Sequence, residues 1–190
     1  MLLNALWLVI ETLGGLLATA CVLRVWAGLA SVHPRNPLSL FAVALTDWLV
    51  RPLRRLVPSN RRIDWASVLG ALLLAMAMLF AQFLIFDGFE RVGKVPEFSF
   101  FLIAAFLRLF RWLLVMLMVM TILQAILSWV NPYAPIAPAL EQLTRPFLAP
   151  IRRILPLFGG VDLSPLVLLL VVQFLMSLVD RALPVLGMGI

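Results

Sequence analysis

The chain has 190 residues, of which 64% are hydrophobic and 13% charged, and its mean hydropathy is +1.09, so it carries more apolar surface than a soluble fold of this size can hide. The reading is an all-α integral membrane protein with its net charge of +6 gathered in loops, which excludes most soluble enzyme classes. One cysteine, Cys21, and one histidine, His33, leave no disulfide framework and no Cys-His metal site.

Crossing a hydrocarbon core of about 30 Å takes roughly 20 helical residues. The first such run extends from about Trp7 to Leu29 and carries Glu11 and Arg24. No Lys or Arg precedes Arg24, so the start lacks the basic region of a cleavable signal peptide and is expected to persist as mature structure. In the following loop Phe41, Leu45, Trp48, Leu49 and Leu56 share one face, with Asp47, Arg51 and Arg54 on the other. Short helices lying in the membrane interface are expected there, kinked or interrupted at Pro52. The second span, Trp65 to Phe86, is uncharged. Residues 98–111 are apolar but too short to cross alone, and are expected to start in the interface and run into the third span. That span, Trp112 to Val130, stops at Asn131-Pro132, Pro being expected just past a helix end. The next loop holds Pro138, Pro146 and Pro150, which predict short interfacial turns rather than one continuous helix. The fourth span, Leu163 to Val179, ends at Asp180-Arg181, a pair able to snorkel to the interface.

Nine of the fifteen basic residues fall in the two long loops: Arg35, Arg51, Arg54, Arg55, Arg61 and Arg62 in the first, and Arg145, Arg152 and Arg153 in the second. Short cytoplasmic loops hold the positive excess, so both long loops are expected in the cytoplasm and both termini in the periplasm.

The chain also repeats itself. Thr46, Pro52, Arg54, Arg55, Pro58 and Asp64 align without a gap on Thr144, Pro150, Arg152, Arg153, Pro156 and Asp162. Prolines, an Arg pair and an Asp in one register are not an accident of leucine-rich composition. The expected organisation is residues 1–92 as one transmembrane hairpin and 98–190 as a second, tandem parallel repeats with the symmetry axis along the membrane normal.

Ser128-Trp129-Val130-Asn131-Pro132, the run from Leu143 to Pro156 and Gly159-Gly160-Val161-Asp162-Leu163-Ser164-Pro165 resemble the signature of the YggT family of bacterial inner-membrane proteins, in its two-repeat form. In the first copy Trp65-Ala66-Ser67 replace the Leu-Ser-Pro that follows the Asp, and Gln124 stands where the family signature usually places an Arg; Arg24 holds the comparable place in the first copy. The resemblance implies no enzymatic activity. It implies links to osmotic-stress tolerance, cell-division gene neighbourhoods and, in plastid relatives, membrane-complex assembly.

The candidate residues each carry two readings. Arg54, Arg55, Arg152 and Arg153 either bind anionic headgroups or an acidic partner segment, or serve only as a positive-inside anchor. Asp64 and Asp162 precede apolar helices, where each caps free amides, bridges to its own Arg pair, or does both. Arg24 either snorkels or pairs across helices with Asp64 or Gln124. Gly14 with Ala18 and Ala66 with Gly70 are small pairs that let helices approach. With no phosphate-cradling glycine loop, carboxylate pair or nucleophile elbow, no catalytic residue, metal or cofactor is assigned and nucleic-acid binding is not expected. The functional expectation is a non-enzymatic scaffold or assembly factor that meets lipids and other membrane proteins. The alternative is a small transporter or channel for ions or osmolytes, which four helices would form only as a homo-oligomer.

Overall fold

The computed structural model describes residues 2–57, 63–87, 98–155 and 162–185. Pro58, Arg61, Arg62, Arg91, Lys94, Pro156 and Gly159-Gly160-Val161 lie outside the described residues. Among the described residues there are six α-helices and no strand: α1 (Leu2–Leu29), α2 (Pro37–Leu53), α3 (Trp65–Gln82), α4 (Phe98–Val130), α5 (Ala137–Ile154) and α6 (Ser164–Val185). A π-helical turn, Phe83–Asp87, continues α3. Four helices are long and apolar enough to cross a membrane: α1, α3 through Ile85, α4, and α6 through Ala182.

One local expectation is met and one is corrected. Residues 98–111 run into the third span as expected and open α4, one helix of 33 residues. No Pro or Gly falls between Phe98 and Val130, and the inward stripe of Ala104, Ala105, Arg108 and Trp112 continues into Leu114, Met116 and Leu117. A single packed face therefore runs the whole length, roughly 50 Å at helical rise. The second loop is likewise one 18-residue helix, α5, rather than short turns. Pro138 sits in its first turn, where an amide has no intrahelical partner anyway. Pro146 and Pro150 lie on the exposed side, so the hydrogen bonds they remove face outward, while Leu140, Leu143, Thr144 and Leu148 are buried at helical spacing and hold the inner face.

The start of α2 is set locally. Asn36 Oδ1 accepts from the Leu38 amide at 3.0 Å, and Pro37 supplies the first helical residue. Ala42, Thr46 and Val50 face inward at four-residue spacing, leaving Phe41 and Trp48 exposed.

Among the described residues the helices meet in three apolar clusters. The largest joins Ala18 of α1, Ala75 and Met78 of α3, Ala104 and Trp112 of α4, Leu148 of α5 and Leu168 of α6. Another brings Leu23 and Ala27 of α1, Ala42 of α2, Met116 and Met120 of α4 and Leu140 and Leu143 of α5 together, so the two halves share a core. Trp26 reinforces that seam: its indole Nε1 donates to the Leu143 carbonyl at 2.9 Å, and its ring stacks on Phe147 at 5.3 Å. The third packs Cys21 with Val50, Ala66 and Ala71. Gly14 of α1 faces Met78 of α3, where a Cβ would come within 2.6 Å of Met78 Sδ.

Candidate functional site

An aspartate precedes α3 and another precedes α6, and each pairs with arginine from the helices around it. Asp64 ends the first loop, and its Oδ2 accepts three hydrogen bonds: from Arg54 Nη2 at 2.7 Å, Ser67 Oγ at 3.0 Å and Arg24 Nε at 3.1 Å. Arg24 reaches in from α1 with its side chain only 8% exposed. Its Nη1 donates to Thr46 Oγ1 at 3.2 Å, and its Nη2 lies 3.5 Å from Asp47 Oδ1. The Thr46 hydroxyl donates in turn to the Ala42 carbonyl, at 2.7 Å. Asp64 thus bridges both arginines and makes no side-chain capping bond to an α3 amide. Burial opposes its ionisation, but the hydrogen bonds from Arg54 and Ser67 and the charges of Arg54 and Arg24 outweigh it and hold the carboxyl below its ordinary range. A cavity of about 370 Å³ adjoins this network, lined by Arg24, Ser39, Asp47, Arg54 and Asp64. Asp64 Oδ1 and Ser39 Oγ are buried there without a partner among the described residues.

The second half repeats the plan with different residues. Asp162 Oδ2 accepts from Arg152 Nε at 2.8 Å, and its Oδ1 accepts from the Ser164 amide at 2.9 Å, so this carboxylate both bridges and caps. Burial opposes its ionisation too; hydrogen bonding from Ser164 and Arg152 and the Arg152 charge prevail and lower its pKa. The Thr144 hydroxyl donates to the Leu140 carbonyl at 2.8 Å, as Thr46 does to Ala42, and hydrogen-bonds the Gln124 side chain where Thr46 meets Arg24. Gln124, Ser128, Trp129, Arg152, Asp162 and Leu166 line a cavity of about 550 Å³. Here the carboxylate is more open: the Arg152 and Asp162 side chains are 41% and 31% exposed, against 46% and 12% for Arg54 and Asp64.

The structure therefore joins Arg24, Arg54 and Asp64 in one network, and Gln124, Arg152 and Asp162 around one cavity. It does not bring Arg24 to Gln124. Arg55 and Arg153 are exposed and make no hydrogen bond or ion pair among the described residues. Among those residues no three His, Cys, Asp or Glu side chains are grouped as a metal ion would need.

Sequence reasoning missed two polar contacts on the spans. Arg108 of α4 is 7% exposed, donates from Nη2 to Gln82 Oε1 at 2.8 Å and places its guanidinium carbon 5.9 Å from the Trp7 ring centroid. Arg111 Nε donates to Asp180 Oδ1 at 2.8 Å, tying α4 to α6. The signal for the first was an arginine flanked by Ala104, Ala105 and Trp112 at helical spacing, a stripe that already pointed inward. The threonine partners had a clearer signal, since Thr46 and Thr144 coincide in the repeat register.

Apolar helices crossed by a few buried polar contacts, with a Thr–Arg–Asp element occurring once in each half, define a multi-pass helical membrane protein. The CCB3/YggT family model matches residues 3–85 and 103–183, and the chain belongs to that family. It is 38% identical over 172 residues to the "Uncharacterized protein in proC 3'region" of Vibrio alginolyticus, covering 90% of this chain and 91% of that one. It is 35% identical over 169 residues to the "Uncharacterized protein YggT" of Escherichia coli (strain K12), covering 88% and 85%. No solved structure matches.

Proposed function

We propose that this protein is a non-enzymatic scaffold or assembly factor of the bacterial inner membrane, built as two parallel hairpins, α1 with α3 and α4 with α6. On this reading α2 and α5 lie in the cytoplasmic interface and both termini face the periplasm. The observation that carries it is the duplicated anchor: in each half an Asp before the second span ties down one arginine of the loop pair, Arg54 or Arg152, and leaves its neighbour, Arg55 or Arg153, exposed and unpaired among the described residues. Exposed Trp48 and Phe41 on α2 suit the apolar side of an interfacial helix. The unpaired cations then face anionic headgroups or acidic segments of other membrane proteins. Osmotic-stress tolerance, membrane-complex biogenesis and cell division are the processes that the family resemblance implies.

In-cell crosslinking followed by identification of partners tests the proposal. The combined change of Arg54, Arg55, Arg152 and Arg153 to glutamine is expected to reduce partner recovery while a C-terminal reporter still reads the periplasm. Unchanged recovery would refute the scaffold reading, and a cytoplasmic reporter would refute the orientation.

A small oligomeric transporter or channel is a second reading, and one observation favours it. Arg108 is buried among α1, α3 and α4 with Nη1 unpartnered among the described residues, and ionisable groups inside a membrane bundle commonly mark a solute path. Ion conductance or solute uptake in liposomes holding the purified protein, abolished by Arg108→Gln, would put this reading first.

A further inference from the structure

The two cavities differ in a way that points to a ligand. In the first half two carboxylates, Asp47 and Asp64, meet three arginines, Arg24, Arg51 and Arg54, and each carboxylate pairs with two of them. In the second half Gln124 stands in place of Arg24, and Arg145 occupies the repeat position of Asp47. The acid at this cavity, Asp162, has both oxygens engaged, by Arg152 and by the Ser164 amide. Arg152 gives only Nε to that bond. Among the described residues its two terminal amino groups have no hydrogen-bond partner, and they sit at a cavity of about 550 Å³. Arg153 and Arg145 add positive charge on α5, whose one acid, Glu141, lies eleven residues before Arg152, roughly 16 Å away along the axis.

Gln124, Ser128, Arg152 and Asp162 supply the polar lining of this cavity, and Ala125, Trp129, Leu166 and Leu169 supply an apolar groove between α4 and α6 beside it. That groove opens onto the outer surface of two membrane-crossing helices, where Trp129 is 81% and Leu166 56% exposed. A soluble anion would use the polar lining and leave the groove empty. An anionic phospholipid uses both: its phosphate meets the free Nη edge of the planar guanidinium, which presents paired donors, and an acyl chain lies along the leucines.

We infer that the α4–α6 cavity is a binding site for a single anionic phospholipid, with phosphate on Arg152 and an acyl chain against Leu166 and Leu169. The first-half cavity, lined by two carboxylates, Asp47 and Asp64, that repel a phosphate, holds no such lipid. The inference deepens the reading of the basic loops as membrane-facing and rests on it for placing the start of α6 at the bilayer surface.

The test uses the full-length protein in phosphatidylcholine vesicles titrated with chain-brominated phosphatidylglycerol. The readout is the part of tryptophan fluorescence quenching that Trp129→Phe removes. Saturable quenching at a few mole per cent of brominated phosphatidylglycerol is expected, with brominated phosphatidylcholine at least tenfold weaker. Arg152→Gln should raise the half-saturating fraction five- to tenfold, Arg152→Lys less, and Arg54→Gln not at all. Ala125→Phe fills the groove without touching a charge and should abolish the signal while the circular dichroism spectrum stays helical; that variant keeps the test valid if Arg152→Gln fails to fold. Equal quenching by both lipids, indifference to Arg152→Gln in a folded protein, or an unchanged signal in Ala125→Phe would each overturn the lipid site. So would relief of quenching by millimolar inorganic phosphate, which would identify a soluble-anion site. Because partner recovery is measured separately by crosslinking, loss of the lipid site with partners retained leaves the scaffold standing, and the converse result leaves the lipid site standing.

Discussion

Arg24 and Gln124 occupy comparable places in the two halves and separate two ways of using the same element. In the first half a charged side chain crosses from α1 to Thr46 and Asp64, and the Arg24–Asp64 pair at its centre has side-chain exposures near a tenth. In the second a neutral amide meets Thr144, and the Arg152–Asp162 pair stands beside a larger cavity with about a third or more of each side chain exposed. A buried ion pair has displaced its hydration and collapses badly when one partner is removed, whereas an exposed pair keeps water as a substitute. The first half is therefore built as a lock, and the second as a contact surface.

The largest break in this contrast should come from removing the two aspartates. Asp64→Ala leaves Arg24 buried without its main counter-charge and is expected to cost about 3 kcal/mol, on the scale of broken buried pairs. Asp162→Ala should cost about 1 kcal/mol or less, as an exposed pair together with a capping contact would. Chemical unfolding of the two variants in one detergent measures the difference, and equal losses would erase the distinction.

Acid should do part of the same work reversibly. Asp64 is held below its ordinary range when folded, so its contribution is present above about pH 4, the unfolded value, and is lost as pH falls through the lower folded value. The melting temperature is expected to decline below about pH 4, with much of that decline absent in Asp64→Asn and most of it retained in Asp162→Asn.

The threonines sharpen the comparison further. Thr46→Val deprives a cationic donor of its acceptor and should cost about 2 kcal/mol, while Thr144→Val leaves only a neutral amide and should cost about 1 kcal/mol. Paired melting curves of the two variants check the order. The smallest effect is expected at Gly14→Ala, where the added carbon meets the flexible end of Met78. A melting temperature within a few degrees of the parent would show that the α1–α3 approach tolerates a methyl group, and a large fall would show that it does not.

Much of the site was legible in one dimension. The positions of Arg54, Asp64, Arg152 and Asp162 follow from the repeated proline, arginine and aspartate register, and each Asp was open to capping, bridging or both. Which reading holds was not legible: Asp64 bridges without a side-chain cap, and Asp162 does both. The choice depends on whether an arginine from another helix arrives at the carboxylate, and Arg24 arrives only in the first half. Arg108 was harder still, because tallying basic residues to orient the chain says nothing about a neighbouring glutamine on α3.

Hydropathy and proline spacing by themselves determined the membrane class, the four apolar spans and the register of the two basic elements, because all of these are properties of neighbours along the chain. Only the tertiary structure decided that α5 runs through Pro146 and Pro150, that 98–111 belongs to α4, and that a second, buried arginine, Arg24, reaches Asp64 while Asp162 has Arg152 alone. The physical reason is common to all three. A helix persists past lost hydrogen bonds when its buried stripe is continuous, and a charge is stable inside when a partner from another helix meets it.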